Sequence, residues 1–184
     1  MALWLWIVLG IIIIVILIFI FYYNRFVRLS NQIDNSLSQI DVQLKKRADL
    51  VPNLITTVKG YAKHEKEIMS DVTNARKSLL AAKNLPERAK AGAKLGHALG
   101  ALFAIAENYP QLRANENFLH LQQELAAIED KIAYARQFYN DSILTYNNMV
   151  ETFPGTFFAS LYKYKEKPFL EIPKEERAVP KVSF

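Results

Sequence analysis

The sequence predicts an all-α protein, with a single N-terminal transmembrane helix that continues into an antiparallel up-down bundle of long helices. Three observations carry this. Residues 1–23 are all apolar, aromatic or glycine. Apolar positions beyond them recur three and four residues apart over long stretches, the period of one helix face. No segment alternates apolar and polar residues between turn signals, as a half-buried strand would.

At a rise of about 1.5 Å per residue the first segment reaches about 34 Å, enough for a hydrocarbon core of about 30 Å. Its centre, Ile11 to Ile18, is rich in β-branched side chains, modest helix formers in water. In lipid, however, only a helix satisfies every backbone group of a lone span. Trp4 and Trp6 at one end and Tyr22 and Tyr23 at the other place amphipathic rings at the two headgroup levels. No Lys or Arg precedes the apolar run, the run is long, and no small-residue cleavage site follows it, so the span is expected to be retained. Arg25, Arg28, Lys45, Lys46 and Arg47 follow it closely, which by the positive-inside rule sets the C-terminal part in the cytoplasm and the N-terminus outside.

Phe26, Ile33, Leu37, Ile40 and Leu44 continue the helical period, and neither Pro nor Gly falls between Ile11 and Leu50. The anchor is therefore expected to run on as helix, with a kink or a new start around Asp49 to Pro52. A second stripe, from Val51 through Leu54, Val58, Ala62, Met69, Val72 and Ala75 to Leu79, predicts one long amphipathic helix across Gly60. Asn84-Leu85-Pro86 ends it and opens an Ala-rich helix over Glu87 to Glu107. Asn108-Tyr109-Pro110 breaks the chain again, and Asn115 or Asn117 is a cap for the last helix. There Phe118, Leu121, Leu125, Ile128, Ile132, Ala135, Tyr139, Ile143, Tyr146 and Met149 give the cleanest period in the chain, with the seven-residue average of coiled-coil-like packing. Pro154-Gly155 is read as the end of the helical region. The organisation is thus an anchor over residues 1–24, a bundle over 25–162 and a Pro-containing tail over 163–184, disordered or extended against the bundle.

The composition excludes several function classes. There is no cysteine, hence neither disulfide nor thiolate chemistry. A net charge of +5 could suggest nucleic acid, but the basic residues next to the span answer to topology and an anionic leaflet, and the others are interspersed with acids; no nucleic-acid partner is predicted. His64-Glu65-Lys66-Glu67-Ile68 begins like a zinc-protease helix, yet Ile stands where the second histidine belongs. His64, His97 and His120 are expected on separate helices. Carboxylates close in sequence, such as Glu65 and Glu67 two residues apart or the adjacent Glu129 and Asp130, point apart on a helix, and neither a phosphate-binding loop nor a nucleophile elbow is present. No catalytic residue, metal site or cofactor is predicted.

Two other groups stand out. Gly92, Gly96 and Gly100 lie at four-residue spacing, a row that permits close packing within the bundle or an assembly face between copies. Asp41, Asp49, Asn53, Asn108, Asn115, Asn117, Asn140 and Asn147 form either a polar recognition network at one end of the bundle or a set of caps and register-fixing hydrogen bonds.

The strings Gln39-Ile40-Asp41-Val42-Gln43-Leu44, Arg47-Ala48-Asp49-Leu50-Val51-Pro52-Asn53-Leu54, Val58-Lys59-Gly60-Tyr61-Ala62, Ala106-Glu107-Asn108-Tyr109-Pro110, Ala114-Asn115-Glu116-Asn117-Phe118, Tyr139-Asn140-Asp141 and Phe153-Pro154-Gly155, in this order, resemble the LemA family of bacterial membrane proteins. The resemblance covers about Tyr23 to Pro168. It implies a single-span protein of the bacterial inner (cytoplasmic) membrane with a long-helix bundle, and no established reaction. One family branch is associated with making magnetosome membranes, and family genes often adjoin membrane-protease genes.

The function expected is a non-enzymatic, membrane-anchored scaffold or adaptor that self-associates as a homo-oligomer and organises membrane or membrane-protein partners. Two alternatives stand beside it. A regulator of a membrane protease is one. A bundle that binds lipid beyond its anchor is the other, motivated by Arg25, Arg28 and the basic-aromatic mix of Phe153, Phe157, Phe158, Tyr162, Lys163, Tyr164 and Lys165, which also suits a cap over the open end of the bundle.

Overall fold

The expected helix class is observed. A computed structural model describes residues 2–170, with six helices and no strand among them. They are α1 (Ala2–Tyr61), α2 (Lys66–Ala81), α3 (Leu85–Ala106), α4 (Pro110–Arg113), α5 (Glu116–Glu151) and α6 (Gly155–Tyr162). Residues 171–184 of the expected tail lie outside the described residues. Two compact units form, one from the chain up to Ser38 with Arg136–Phe169, the other from Gln39–Ala135 with Leu170.

In the first unit α1 passes from an apolar segment into a packed one. The most apolar window of α1 has none of its residues buried against the rest of the protein. Such a surface is stable only in a non-aqueous medium, and α1 is long and apolar enough to cross a bilayer. From Phe26 onward the helix acquires a buried face, Phe26, Leu29, Ile33 and the small Ser36; in the same unit Tyr139, Ser142, Ile143 and Tyr146 of α5 are buried, and Phe26 meets Tyr146 with centroids 6.0 Å apart. The strands of hydrogen bonding match this pairing. Ser36 Oγ donates to the Gln32 carbonyl at 2.6 Å, Gln32 Nε2 donates to Ser142 Oγ at 3.0 Å, and Ser142 Oγ donates to the Phe138 carbonyl at 2.8 Å, so the two buried hydroxyls are satisfied.

In the second unit the order of contacts gives an up-down four-helix arrangement. Arg76 of α2 reaches Ala48 of α1, and Tyr109 just before α4 reaches Glu65 just before α2. Arg88 and Gly96 of α3 meet Asp41 and Arg47 of α1, so α3 runs parallel to α1. Asn115 and Glu129 meet Tyr61 and Arg47, so α5 runs antiparallel to it. The predicted stripes are core, with Ile40, Leu44, Val51, Leu54 and Val58 of α1, Met69, Val72, Ala75 and Leu79 of α2, and Phe118, Leu125 and Ile132 of α5 all buried; Leu95, Leu99 and Leu102 of α3, a helix without a predicted stripe, are buried with them.

Four local expectations are corrected. First, no new helix starts at Pro52, which lies inside α1. Proline brings no amide to the carbonyl four residues earlier, that of the fully buried Ala48. Arg76 Nε donates to that carbonyl instead, at 2.7 Å. A donor 28 residues away thus supplies what the helix lacks, and α1 continues. Arg76→Met should leave the buried carbonyl without a donor and lower stability by about 1–3 kcal/mol. Thermal unfolding of the full chain in nanodiscs checks this, and an unchanged midpoint would remove Arg76 from the account.

Second, the long helix predicted across Gly60 is two helices, with the break at Ala62–Glu65 rather than at the glycine. The period alone permits continuation. Reversal wins because it lays the apolar stripe of α2 back along that of α1, which one straight helix cannot do. Third, His64 stands in this turn and not in a helix, while His97 lies on α3 and His120 on α5. Fourth, Pro154-Gly155 does not end the helical region, since Gly155 opens α6. The last-helix cap is Asn115, whose Oδ1 accepts from Phe118 N at 3.0 Å; Asn117 is the second residue of α5. α3 begins as the sequence suggests, with Asn84 Oδ1 accepting from Glu87 N at 3.0 Å and Pro86 in the first turn. The Glu87 carboxylate accepts from Lys83 N and from Asn84 Nδ2, and these bonds hold its pKa below the usual carboxylate range.

Candidate functional site

Where the apolar part of α1 meets α6, aromatic side chains accumulate. Phe158 of α6 lies flat on Tyr22, with centroids 4.3 Å apart and planes 7° from parallel. Phe19 meets Phe158 edge-on at 5.1 Å and Phe157 at 6.5 Å. Tyr23 meets Tyr162 at 5.5 Å, and Phe26 stacks on Tyr164 at 4.7 Å. Each step forward along α1 is matched by a step forward along the chain from Phe157 to Tyr164, so α6 lies parallel to α1. Such pairs add about 0.5–1.5 kcal/mol each to the burial of their surface.

The segment beyond α6 is tied down against α1 and α5. Asn147 and Lys167 exchange two bonds of 2.9 Å, side-chain amide to backbone carbonyl and backbone amide to side-chain oxygen. The Lys167 ammonium donates to Ser30 Oγ at 3.0 Å and sits 5.2 Å from the centroid of the Tyr146 ring, a cation–π placement. Burial raises the pKa of Tyr146, with Tyr164 adding to it, and burial followed by the nearby Asp34 does the same for Tyr139. Both phenols stay neutral at physiological pH.

The predicted interface residues divide. Trp4 and Trp6 are exposed at 68% and 71%, Arg25 and Arg28 are exposed, and Tyr22 and Tyr23 carry the ring contacts just described. Of the glycine row, Gly92 is buried, a Cβ on Gly96 would lie 3.2 Å from the Arg47 guanidinium, and one on Gly100 would meet open space. Arg47 lies almost wholly buried, with its Nη1 2.6 Å from Glu129 Oε2. Its place was readable in principle, because it stands between Leu44 and Val51 on an otherwise apolar stripe.

The predicted polar residues stand at several places along the helices and the turns between them. Asp49 pairs with Lys45 one turn away at 2.7 Å, while Asn53 and Asn108 are exposed. Asn115 joins its capping bond to a second one, donated from Nδ2 to Tyr61 Oη at 3.0 Å. Nearby in the chain order, Tyr109 Oη donates to Glu65 Oε1 at 3.0 Å, and the bond to this carboxylate raises the tyrosine pKa. These bonds join the turns at one end of the second unit, and nothing in them sets a nucleophile beside a base.

Asp41 is salt-bridged to Arg88 beside a shallow depression bounded by Leu44, Leu79 and Leu80. Gln43, Lys46, Asp49, Glu124 and Lys131 edge a second groove of about 370 Å³ with alternating charges. Among the described residues no three His, Asp or Glu side chains gather at metal-binding distance. The arrangement with the clearest physical direction is therefore the aromatic junction of α1 and α6.

Comparison with known proteins gives a consistent picture. The sequence model of the LemA family matches residues 36–184. The chain is similar to the magnetosome protein MamQ of Magnetospirillum gryphiswaldense, 28% identical over 82% of this chain and 67% of the relative. It is also similar to magnetosome protein MamQ 2 of Paramagnetospirillum magneticum, 26% identical over 81% of this chain and 64% of the relative. Protein LemA of Metamycoplasma hominis is 29% identical over 71% of this chain and 60% of its own length. The chain thus spans about two thirds of the length of these relatives.

Proposed function

Because the chain belongs to the LemA family, we propose that it is a non-enzymatic, single-span scaffold of the bacterial inner membrane, which self-associates and organises membrane or membrane-protein partners. The observation that carries this reading is α1 itself. One helix holds both the lipid-seeking segment and the packed face that begins at Phe26, with no linker between them. A flexible tether would only localise a domain; a continuous helix also fixes how the domain meets the bilayer surface, which a scaffold needs. The basic residues after the span support a cytoplasmic domain and an external N-terminus. The relatives named as magnetosome proteins support a part in organising a membrane compartment.

Native mass spectrometry of the full chain, released from nanodiscs or mild detergent over a range of concentrations, tests self-association. A defined oligomer is the expected result, and a strict monomer throughout would overturn that part. Affinity purification from crosslinked membranes tests the adaptor part, with recovery of a stoichiometric membrane-protein partner as the expected outcome.

A further inference from the structure

The α6 helix leaves half of its apolar surface uncovered. Phe158 and Ala159 are buried against the first unit, but Phe153, Phe157 and Leu161 are 86%, 56% and 52% exposed. These three are spaced four residues apart and form one stripe along the turn and the helix. No Asp, Glu, Lys or Arg occurs from Thr152 to Tyr162, whereas Glu151 and Lys163 bracket the stretch. An exposed, uncharged, aromatic stripe of this kind marks a surface that meets something apolar.

The height of the stripe along α1 says what that is. Tyr164 is level with Phe26, Tyr162 with Tyr23, and Phe157 and Phe158 with Phe19. Tyr162 Oη also donates to the Phe19 carbonyl at 3.4 Å. Phe19 lies inside the apolar span, four residues before Tyr23, which at about 1.5 Å per residue is about 6 Å deeper. The turn at Phe153 and Pro154 precedes Phe157 and so lies at that depth or below. Interfacial helices bury their apolar face about 5–10 Å into the headgroup and acyl boundary, the same range. The next charged side chains, Lys163 and Lys165, are exposed at the level of Tyr23 to Phe26, beside the level of Arg25, where anionic headgroups would meet them.

We propose that the α5–α6 turn and α6 are a second membrane-inserted element, which sinks Phe153, Phe157 and Leu161 into the leaflet nearest the bundle, alongside the last turns of the anchor. The occupant of the stripe is the acyl-chain region of the bilayer, because the stripe is continuous with the anchor surface that lipid must cover. The protein then occupies more area in one leaflet than in the other. This inference rests on the anchor alone and not on self-association.

The chain has no cysteine, so single-cysteine variants can be labelled directly. Phe153→Cys, Phe157→Cys and Leu161→Cys of the full chain, each carrying the environment-sensitive dye NBD, are to be placed in nanodiscs of phosphatidylcholine and phosphatidylglycerol. Phe21→Cys serves as the lipid-facing reference. Leu144→Cys serves as the aqueous one, since neighbouring Ser142 is level with Gln32, well beyond Tyr23. Blue-shifted emission, quenching by acyl-chain spin labels comparable to that at Phe21, and loss of quenching by iodide are expected at the three stripe positions. Iodide quenching equal to that at Leu144 would overturn the proposal. Protection from both quenchers would overturn it as well, since a second copy or another protein would then cover the stripe. All three side chains are exposed within the protein, and circular dichroism of each variant shows that the helices persist.

Discussion

Gly155→Ala should cost the first unit more than about 3 kcal/mol, the upper end of ordinary overpacking, because the added atom meets backbone and not a side chain that can swing away. A Cβ on Gly155 would lie 2.1 Å from the Met149 carbonyl oxygen and 3.1 Å from its carbon. Relief requires the turn from α5 to α6 to open, which pulls Phe158 off Tyr22 and Tyr162 off Tyr23. Gly100→Ala is the matched control, since its Cβ enters open space on α3 and should stabilise by about 0.4–1 kcal/mol. Thermal unfolding of the full chain in nanodiscs, with hydrogen exchange over Thr156 to Tyr164, separates the two. A Gly155→Ala protein that melts with its parent and keeps its exchange protection would show that the turn has slack the structure does not indicate.

Phe26→Ala is the second large effect, about 3–5 kcal/mol, the cost of emptying a wholly buried aromatic site. Phe26 is 0% exposed, and it joins Tyr146 of α5, at 6.0 Å, to Tyr164, at 4.7 Å. It is also the first residue of α1 to be fully enclosed by protein. Its loss should therefore loosen both the α1–α5 pairing and the segment that carries Lys167. Phe26→Leu keeps most of the volume and should lose mainly the ring–ring increment of about 0.5–1.5 kcal/mol per pair. Equal effects of the two variants would mean that volume is not what Phe26 supplies. The readout is the thermal midpoint in nanodiscs, together with exchange protection of the amides of Lys167 and Asn147.

Helix identity was legible wherever one stripe answers to one face. The residues of α5 from Phe118 to Tyr146 illustrate this, since each predicted apolar position is buried. Reading failed where a remote partner decides. Pro52 carries the same local chemistry whether or not Arg76 is near, so the sequence around it reads as a break. The turn at Ala62–Glu65 is likewise chosen by the pairing of α1 with α2, and no Gly or Pro marks it. Pro154-Gly155 does mark a reversal, but the same dipeptide serves a stop and a tight turn, and the eight residues of α6 are too few to show a period. At the candidate site the aromatic residues were visible as a group. Their division into a buried half and an exposed half follows from the side of α6 that meets Phe19 and Tyr22, which only the pairing with α1 determines.

The bond from Arg76 to Ala48 has a consequence for where α2 can rest. An α-helix backbone is nearly the same at every turn, so two packed helices can slip past one another by about 5.4 Å and still match ridges to grooves. Pro52 breaks that sameness by exposing one carbonyl that no other turn of α1 offers. A guanidinium on α2 that seeks this carbonyl finds a unique address on an otherwise repeating track, and a slipped register would leave one buried acceptor empty. The proline that looks like a fault in the helix thereby acts as its position mark.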